Sequence, residues 1–187
     1  MSRTKTYNEQ EVIEKAMNLF WVNGFKSTSM QMLEKEMGIN KFSIYSSFGN
    51  KNGVFLESLK CYKQKLNLLI NKLENATDGI DGIKQYFYDF IDFSKENDFG
   101  KGCLITNSAN EIGTCGDQKI ISALENFTAH VRAVFAEALR KNSQKNESLV
   151  EQQADYLIVS IFGLSSATRV FTRTQVNNYI ENIFLRL

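Results

Sequence analysis

The 187 residues carry 22 Lys/Arg against 21 Asp/Glu, a net charge of +1, with 43% hydrophobic and 12% aromatic side chains. Such a composition builds one packed domain, or a small domain joined to a moderate one, and excludes a disordered chain. No apolar run approaches the roughly 18 residues of a membrane helix, and MSRTKTYNEQ lacks the apolar stretch of a secretory leader; the expectation is a cytoplasmic protein without a membrane partner. Cys61, Cys103 and Cys115 lack the spacing of a zinc site, which points to free thiols in a reducing compartment. The charge is uneven: residues 1–65 hold ten Lys/Arg against six Glu, leaving residues 66–187 net negative. That sign suits a phosphate-facing N-terminal module.

Proline is absent, and glycines mark most of the breaks. Ile13, Ala16, Met17 and Phe20 share one face of a first helix, with Asn8 and Glu11 spaced as a capping box and Asn23-Gly24 as its end. A second, short helix begins near Thr28 or Ser29, where Thr28 and Gln31 also fit a capping box, and stops at Gly38. Asn40 suits the cap of a third short helix ending before Gly49. Asn50 then opens a long fourth helix through Leu56, Leu59, Leu66 and Leu73 to about Ala76. The run Asp78-Gly79-Ile80-Asp81-Gly82 reads as a break before a fifth helix with Ile83, Phe87, Phe90 and Ile91 inward. After Gly100-Lys101-Gly102 come a short helical segment, CLITNSANEI, and a glycine loop. A seventh helix covers 117–142, and two last helices cover 148–171 and 175–187. The fold class expected is all-α, with about nine helices and no strands.

Three short helices, the second and third joined through Gly38, have the layout of a helix-turn-helix. Ile39, Ile44 and Phe48 can anchor the third helix on Phe20, Met30 and Leu33, which turns Lys41, Phe42, Tyr45 and Ser46 outward. A plain three-helix subdomain has the same periodicity. Two aromatics left in water on so short a helix favour a partner, and the major groove of DNA admits one α-helix.

The gapless stretch AMNLFWVNGFKSTSMQMLEKEMGINKFSIYSSFGNKNGVFLESL resembles the DNA-binding domain of the tetracycline-repressor (TetR/AcrR) family of bacterial transcription regulators. Ile44-Tyr45, Phe48-Gly49-Asn50-Lys51 and Phe55 are its most diagnostic residues. The resemblance implies a helix-turn-helix domain over 1–50 and a helical effector-binding and dimerisation domain over 51–187. It places Lys41, Phe42 and Gln31 where bases are read, Tyr45 at a thymine methyl or the backbone, and Ser29, Ser43, Ser47 and Lys51 at phosphates. Ser46 lies on the same face. Three positions depart from the family pattern: Phe42 replaces a glycine or proline, Ser46-Ser47 an aromatic or histidine pair, and Glu34 a small alanine.

A weaker echo at GCLITNSANEIG and the last two helices fits a subset of the same family. The family resemblance implies a pocket among helices four to eight for a small apolar or amphipathic effector, with Tyr62, Tyr86, Phe90, Cys103, Asn107, Phe127, Phe162 and Arg169 as candidates, although aromatics of this kind also make ordinary cores. It also implies a homodimer reading a palindromic operator in double-stranded DNA. The small residues Ser160, Gly163, Ser165, Ser166 and Ala167, interleaved with Leu157, Ile161 and Leu164, independently suit close helix approach. The expected dimer residues are Leu157, Ile161, Gly163, Leu164, Ile180 and Ile183. Cys103, at a helix start two residues from Lys101, invites a lowered thiol pKa, with Cys115 as resolving partner.

Enzyme readings find little support. His130 is the lone histidine, and no phosphate loop, metal-ligand cluster or nucleophile elbow appears. The expectation is a DNA-binding regulator that is no enzyme and needs no cofactor or metal. The competing reading is a small-molecule- or partner-binding helical protein whose helix-turn-helix no longer reads DNA.

Overall fold

The computed structural model describes residues 7–96, 99–113, 116–141, 146–185 and 187. Asn8, Ser29, Asn40 and Asn50 each accept a backbone N–H with their side chains, and so open α1 (Glu9–Asn23), α2 (Met30–Met37), α3 (Lys41–Phe48) and α4 (Lys51–Glu74). These caps satisfy amides that a helix start leaves orphaned. The expected Thr28–Gln31 box does not form. Thr28 is buried and donates to the Gly24 carbonyl at 2.6 Å, so the exposed Ser29 takes the cap instead.

The α3–α4 junction is tight enough to need glycine at 53, where an added Cβ would stand 1.8 Å from the Phe48 carbonyl oxygen. Phe20, Leu33, Met37, Ile44 and Phe55 are fully enclosed between α1 to α4, with Phe20 edge-on to Phe55 at 4.9 Å. Burying each such side chain contributes about 1.5–3 kcal/mol, which is how two eight-residue helices too short to persist alone stay folded.

Beyond α4 lie α5 (Gly79–Phe93), α6 (Leu104–Ile112), α7 (Gln118–Lys141), α8 (Glu147–Ala167) and α9 (Arg173–Phe184). The expected Asp78–Gly82 break is shorter than the sequence suggests. Asp78 caps Asp81 N at 2.9 Å, so α5 starts at Gly79 and runs through Gly82. The last two helices also shift. Thr168 ends α8, and Thr172 with Gln175 forms a full capping box that starts α9 before residue 175. Between α5 and α6, β1 (Lys95–Glu96) pairs antiparallel with β2 (Phe99–Gly100), a two-residue ladder too short to show alternation in the sequence.

The second core packs α4, α5, α7 and α8 around Leu66, Phe87, Phe135, Leu157 and Leu164. Glu181 accepts from Lys84 Nζ at 2.7 Å and Tyr88 OH at 2.6 Å, and Arg173 pairs with Asp92 at 2.7 Å; together they pin α9 to α5. No helix among the described residues is long and apolar enough to cross a membrane.

Candidate nucleic-acid interface and effector sites

Gly38 takes the left-handed conformation (φ 68°) that turns α2 into α3. Two acceptors then fix the start of α3: Asn40 takes Ser43 N at 2.8 Å and Glu34 takes Lys41 N at 2.9 Å. Glu34, a departure from the family pattern, thus ties α2 to α3. Ile44 points fully inward, so the opposite face is presented to solvent, with Phe42 80% exposed, Tyr45 44% exposed, and Lys41 and Ser46 also exposed. Lys41 Nζ stands 6.0 Å from the Tyr45 ring. Gln31 and Ser29 are exposed on α2, while Ser43 and Ser47 are half-buried, Ser47 sharing a 2.7 Å hydrogen bond with Tyr7 OH.

Lys51 sits differently from the rest. Its ammonium donates to the carbonyls of Phe25 (2.9 Å) and Thr28 (3.0 Å), with Lys26 O at 3.5 Å, and lies 4.4 Å from the Phe25 ring centroid. It closes the α1–α2 loop rather than being held out with the α3 residues.

The effector candidates divide into three groups. Tyr86, Phe90, Cys103, Phe127 and Phe162 line one interior cavity, walled also by Leu66, Ile105, Thr106 and Val131, with only about 20 Å³ open. Asn107 and Arg169 line a different, polar cleft beside α1. Tyr62 lines neither; it is fully buried and donates to Cys103 Sγ at 3.2 Å.

The lowered pKa expected of Cys103 is not what the structure gives. Burial pushes its thiol up, although the Tyr62 hydroxyl and the amides of Thr106 and Ile105 pull the other way. The nearby cation does not reverse this, because Lys101 Nζ lies over Trp21, 5.3 Å from its ring centroid. The suggested resolving partner, Cys115, lies outside the described residues.

Of the expected dimer residues, Leu157, Ile161, Leu164, Ile180 and Ile183 are buried in the chain's own core. Periodicity marked an apolar stripe correctly but could not say whose core it enters. Gly163 is exposed, and the apolar residues facing solvent on α8 and α9 include Tyr156, Val159 and Tyr179, with Leu149 near the start of α8 and Val170 and Phe171 between the helices. Gly163, Phe171 and Tyr179 line an open groove there. The spacing of Tyr156, Val159 and Gly163 was a readable second stripe on the same helix.

The sequence also concealed a junction. Glu111 on α6 accepts from the backbone amides of Phe25 (2.7 Å) and Lys26 (2.6 Å), in the α1–α2 loop. Trp21 Nε1 donates to Gly102 O at 3.0 Å, and Asn52 donates to Asp117 at 3.0 Å. These contacts join segments more than 60 residues apart, so no local pattern announces them.

Among known proteins, residues 12–58 match the family model of bacterial regulatory proteins, tetR family. YezE of Bacillus subtilis, an uncharacterized HTH-type transcriptional regulator, is 30% identical over 112 residues, 59% of this chain and 58% of that one. IcaR of Staphylococcus aureus, the HTH-type negative transcriptional regulator of the biofilm operon icaADBC, is 23% identical over 95% of this chain and 99% of its own. The solved structure of a cysteine mutant of the TetR family regulator CifR, complexed with 26-bp double-strand operator DNA, superposes with a TM-score of 0.86. It is 23% identical and covers 98% of both chains.

Proposed function

The chain belongs to the tetR family of bacterial regulatory proteins, and from that premise we propose that it is a dimeric, DNA-binding transcriptional repressor released by a small apolar or amphipathic effector. The observation that carries this is α3 itself. A doubly capped, eight-residue helix holds Phe42 and Tyr45 in water beside Lys41 and Ser46. An apolar ring can contact a thymine methyl and lysine can donate to guanine O6 or N7, so this face has the chemistry to read base edges. Ser29, Ser43 and Ser47 are proposed to meet phosphates, which positions the helix without specifying sequence.

The second copy is proposed to dock on Tyr156, Val159, Gly163 and Tyr179, giving two recognition helices for a palindromic site. Such a regulator works beside the chromosome, in the cytoplasm, and has no catalytic step. The division into residues 1–50 and 51–187 is the reading adopted for its two functional parts.

The interior cavity is the proposed effector site. Its present opening is near the size of a single water, whereas small-molecule sites span roughly 300–1,000 Å³. An effector therefore binds an expanded state and shifts the population toward it. Glu111 and Trp21 tie α6 to α1, so expansion beside α6 also moves the helix-turn-helix. Gel shifts with the protein's own upstream region test the reading. Phe42→Ala/Tyr45→Ala should lose the shift while remaining a folded dimer; an unchanged shift would favour the helical binding protein with a silent helix-turn-helix.

A further inference from the structure

A cleft of about 610 Å³ opens where the end of α1 faces α6 and the turn after α8. Its lining includes Trp21, Asn107, Asn110, Glu111, Ser166 and Arg169, and it is separate from the interior cavity, with which it shares no lining residue. Arg169 is the one basic residue lining it, and among the described residues no carboxylate pairs with that guanidinium. The single acid, Glu111, already has an amide on each oxygen.

Gly102 brings the polar groups together. At its φ of 71°, an added Cβ would stand 3.0 Å from Asn107 Oδ1 and 3.3 Å from Arg169 Cδ, so the missing side chain lets both approach one point. Asn107 is itself fixed by donating to Lys101 O at 3.0 Å.

We propose that this cleft binds a small amphipathic carboxylate, going beyond the interior effector site. Arg169 takes the head group in a charge-assisted, forked hydrogen bond, the Asn107 and Asn110 amides flank it, and Trp21 and Val170 receive the apolar body. The ligand would span α1, α6 and the α8–α9 turn, against the Trp21–Gly102 and Glu111 contacts that join the two halves.

Trp21 is the chain's only tryptophan, so its fluorescence reports the site. Titrating the full-length dimer at constant ionic strength, benzoate and phenylacetate should each shift the emission saturably. Benzamide, alike in shape but uncharged, should bind roughly tenfold or more weakly. Arg169→Gln should reduce benzoate to the level of benzamide with an unchanged melting temperature, whereas Phe162→Ala, which alters the interior cavity, should titrate like the parent. No saturable shift with either carboxylate, equal binding of benzamide, or indifference to Arg169→Gln overturns the site. None of these readouts depends on operator binding or on the interior effector.

Discussion

Phe42 and Lys51 show how two side chains in one small domain reach opposite fates. Phe42 has no core to enter because Ile44 already fills the inward position, so its ring stays in solvent at 80% exposure. Lys51 begins α4 within reach of a loop that has carbonyls to satisfy, and its ammonium takes them. Lys51→Met should therefore act on stability. Losing charge-assisted bonds to partly buried carbonyls should cost roughly 1–3 kcal/mol, read as a lower urea midpoint, while the salt dependence of DNA binding stays near that of the parent. A flattened salt slope with unchanged stability would place the ammonium on phosphate instead. Lys41→Ala should do the reverse, altering base preference with little effect on the midpoint.

The caps made α1 to α4 legible from the sequence, since Asn8, Asn40 and Asn50 each sit one residue before a helix and local spacing alone decides them. Thr28 deceived because its buried hydroxyl is already taken by the carbonyl of Gly24, four residues back in the α1–α2 loop. Cys103 deceived for a related reason: a helix start suggests a low thiol pKa, but Tyr62 and the surrounding core bury it, and burial wins. The same division explains why the outward stripe of α3 was readable and the Glu111 clasp was not.

Two predictions belong to single elements. Asn40→Ala should cost about 1 kcal/mol and fray α3 first, seen as faster amide exchange at Ser43 than in α1. The α5–α9 tie should be sensitive at both pH extremes. Lys84 and Tyr88 hold the Glu181 carboxyl below its usual range, so its contribution is present above the ordinary glutamate pKa and is lost as pH falls through the depressed value. Burial and the Glu181 hydrogen bond push Tyr88 up to about 12, so its contribution is full below the ordinary tyrosine pKa and is lost as pH rises toward that value. Glu181→Gln should remove the acid-side loss in a pH series of melting temperatures; an unaltered acid limb would show that the tie contributes nothing.

At the scale of the molecule, two cores meet across α4 and α6, and the proposed function requires that they communicate and that two copies pair. Gly163 probes the pairing. A Cβ there would find only Tyr179 OH, at 3.9 Å, so a larger side chain has room within the chain. Gly163→Phe should leave the monomer folded yet obstruct close approach of a partner helix, giving monomer on sedimentation and much weaker operator binding. A dimer of parental strength would put the interface on another face. The most direct measurement is fluorescence anisotropy of the full-length protein against labelled duplexes tiled across its own upstream region, repeated from 50 to 200 mM salt. A dimer reading DNA through two α3 helices should select one duplex over a scrambled control by roughly a thousandfold or more, with two chains bound per site. Its affinity should fall by about 10³-fold or more across that salt range. Equal, weak binding to every duplex, or binding indifferent to salt, would contradict a reading helix at Lys41–Phe48.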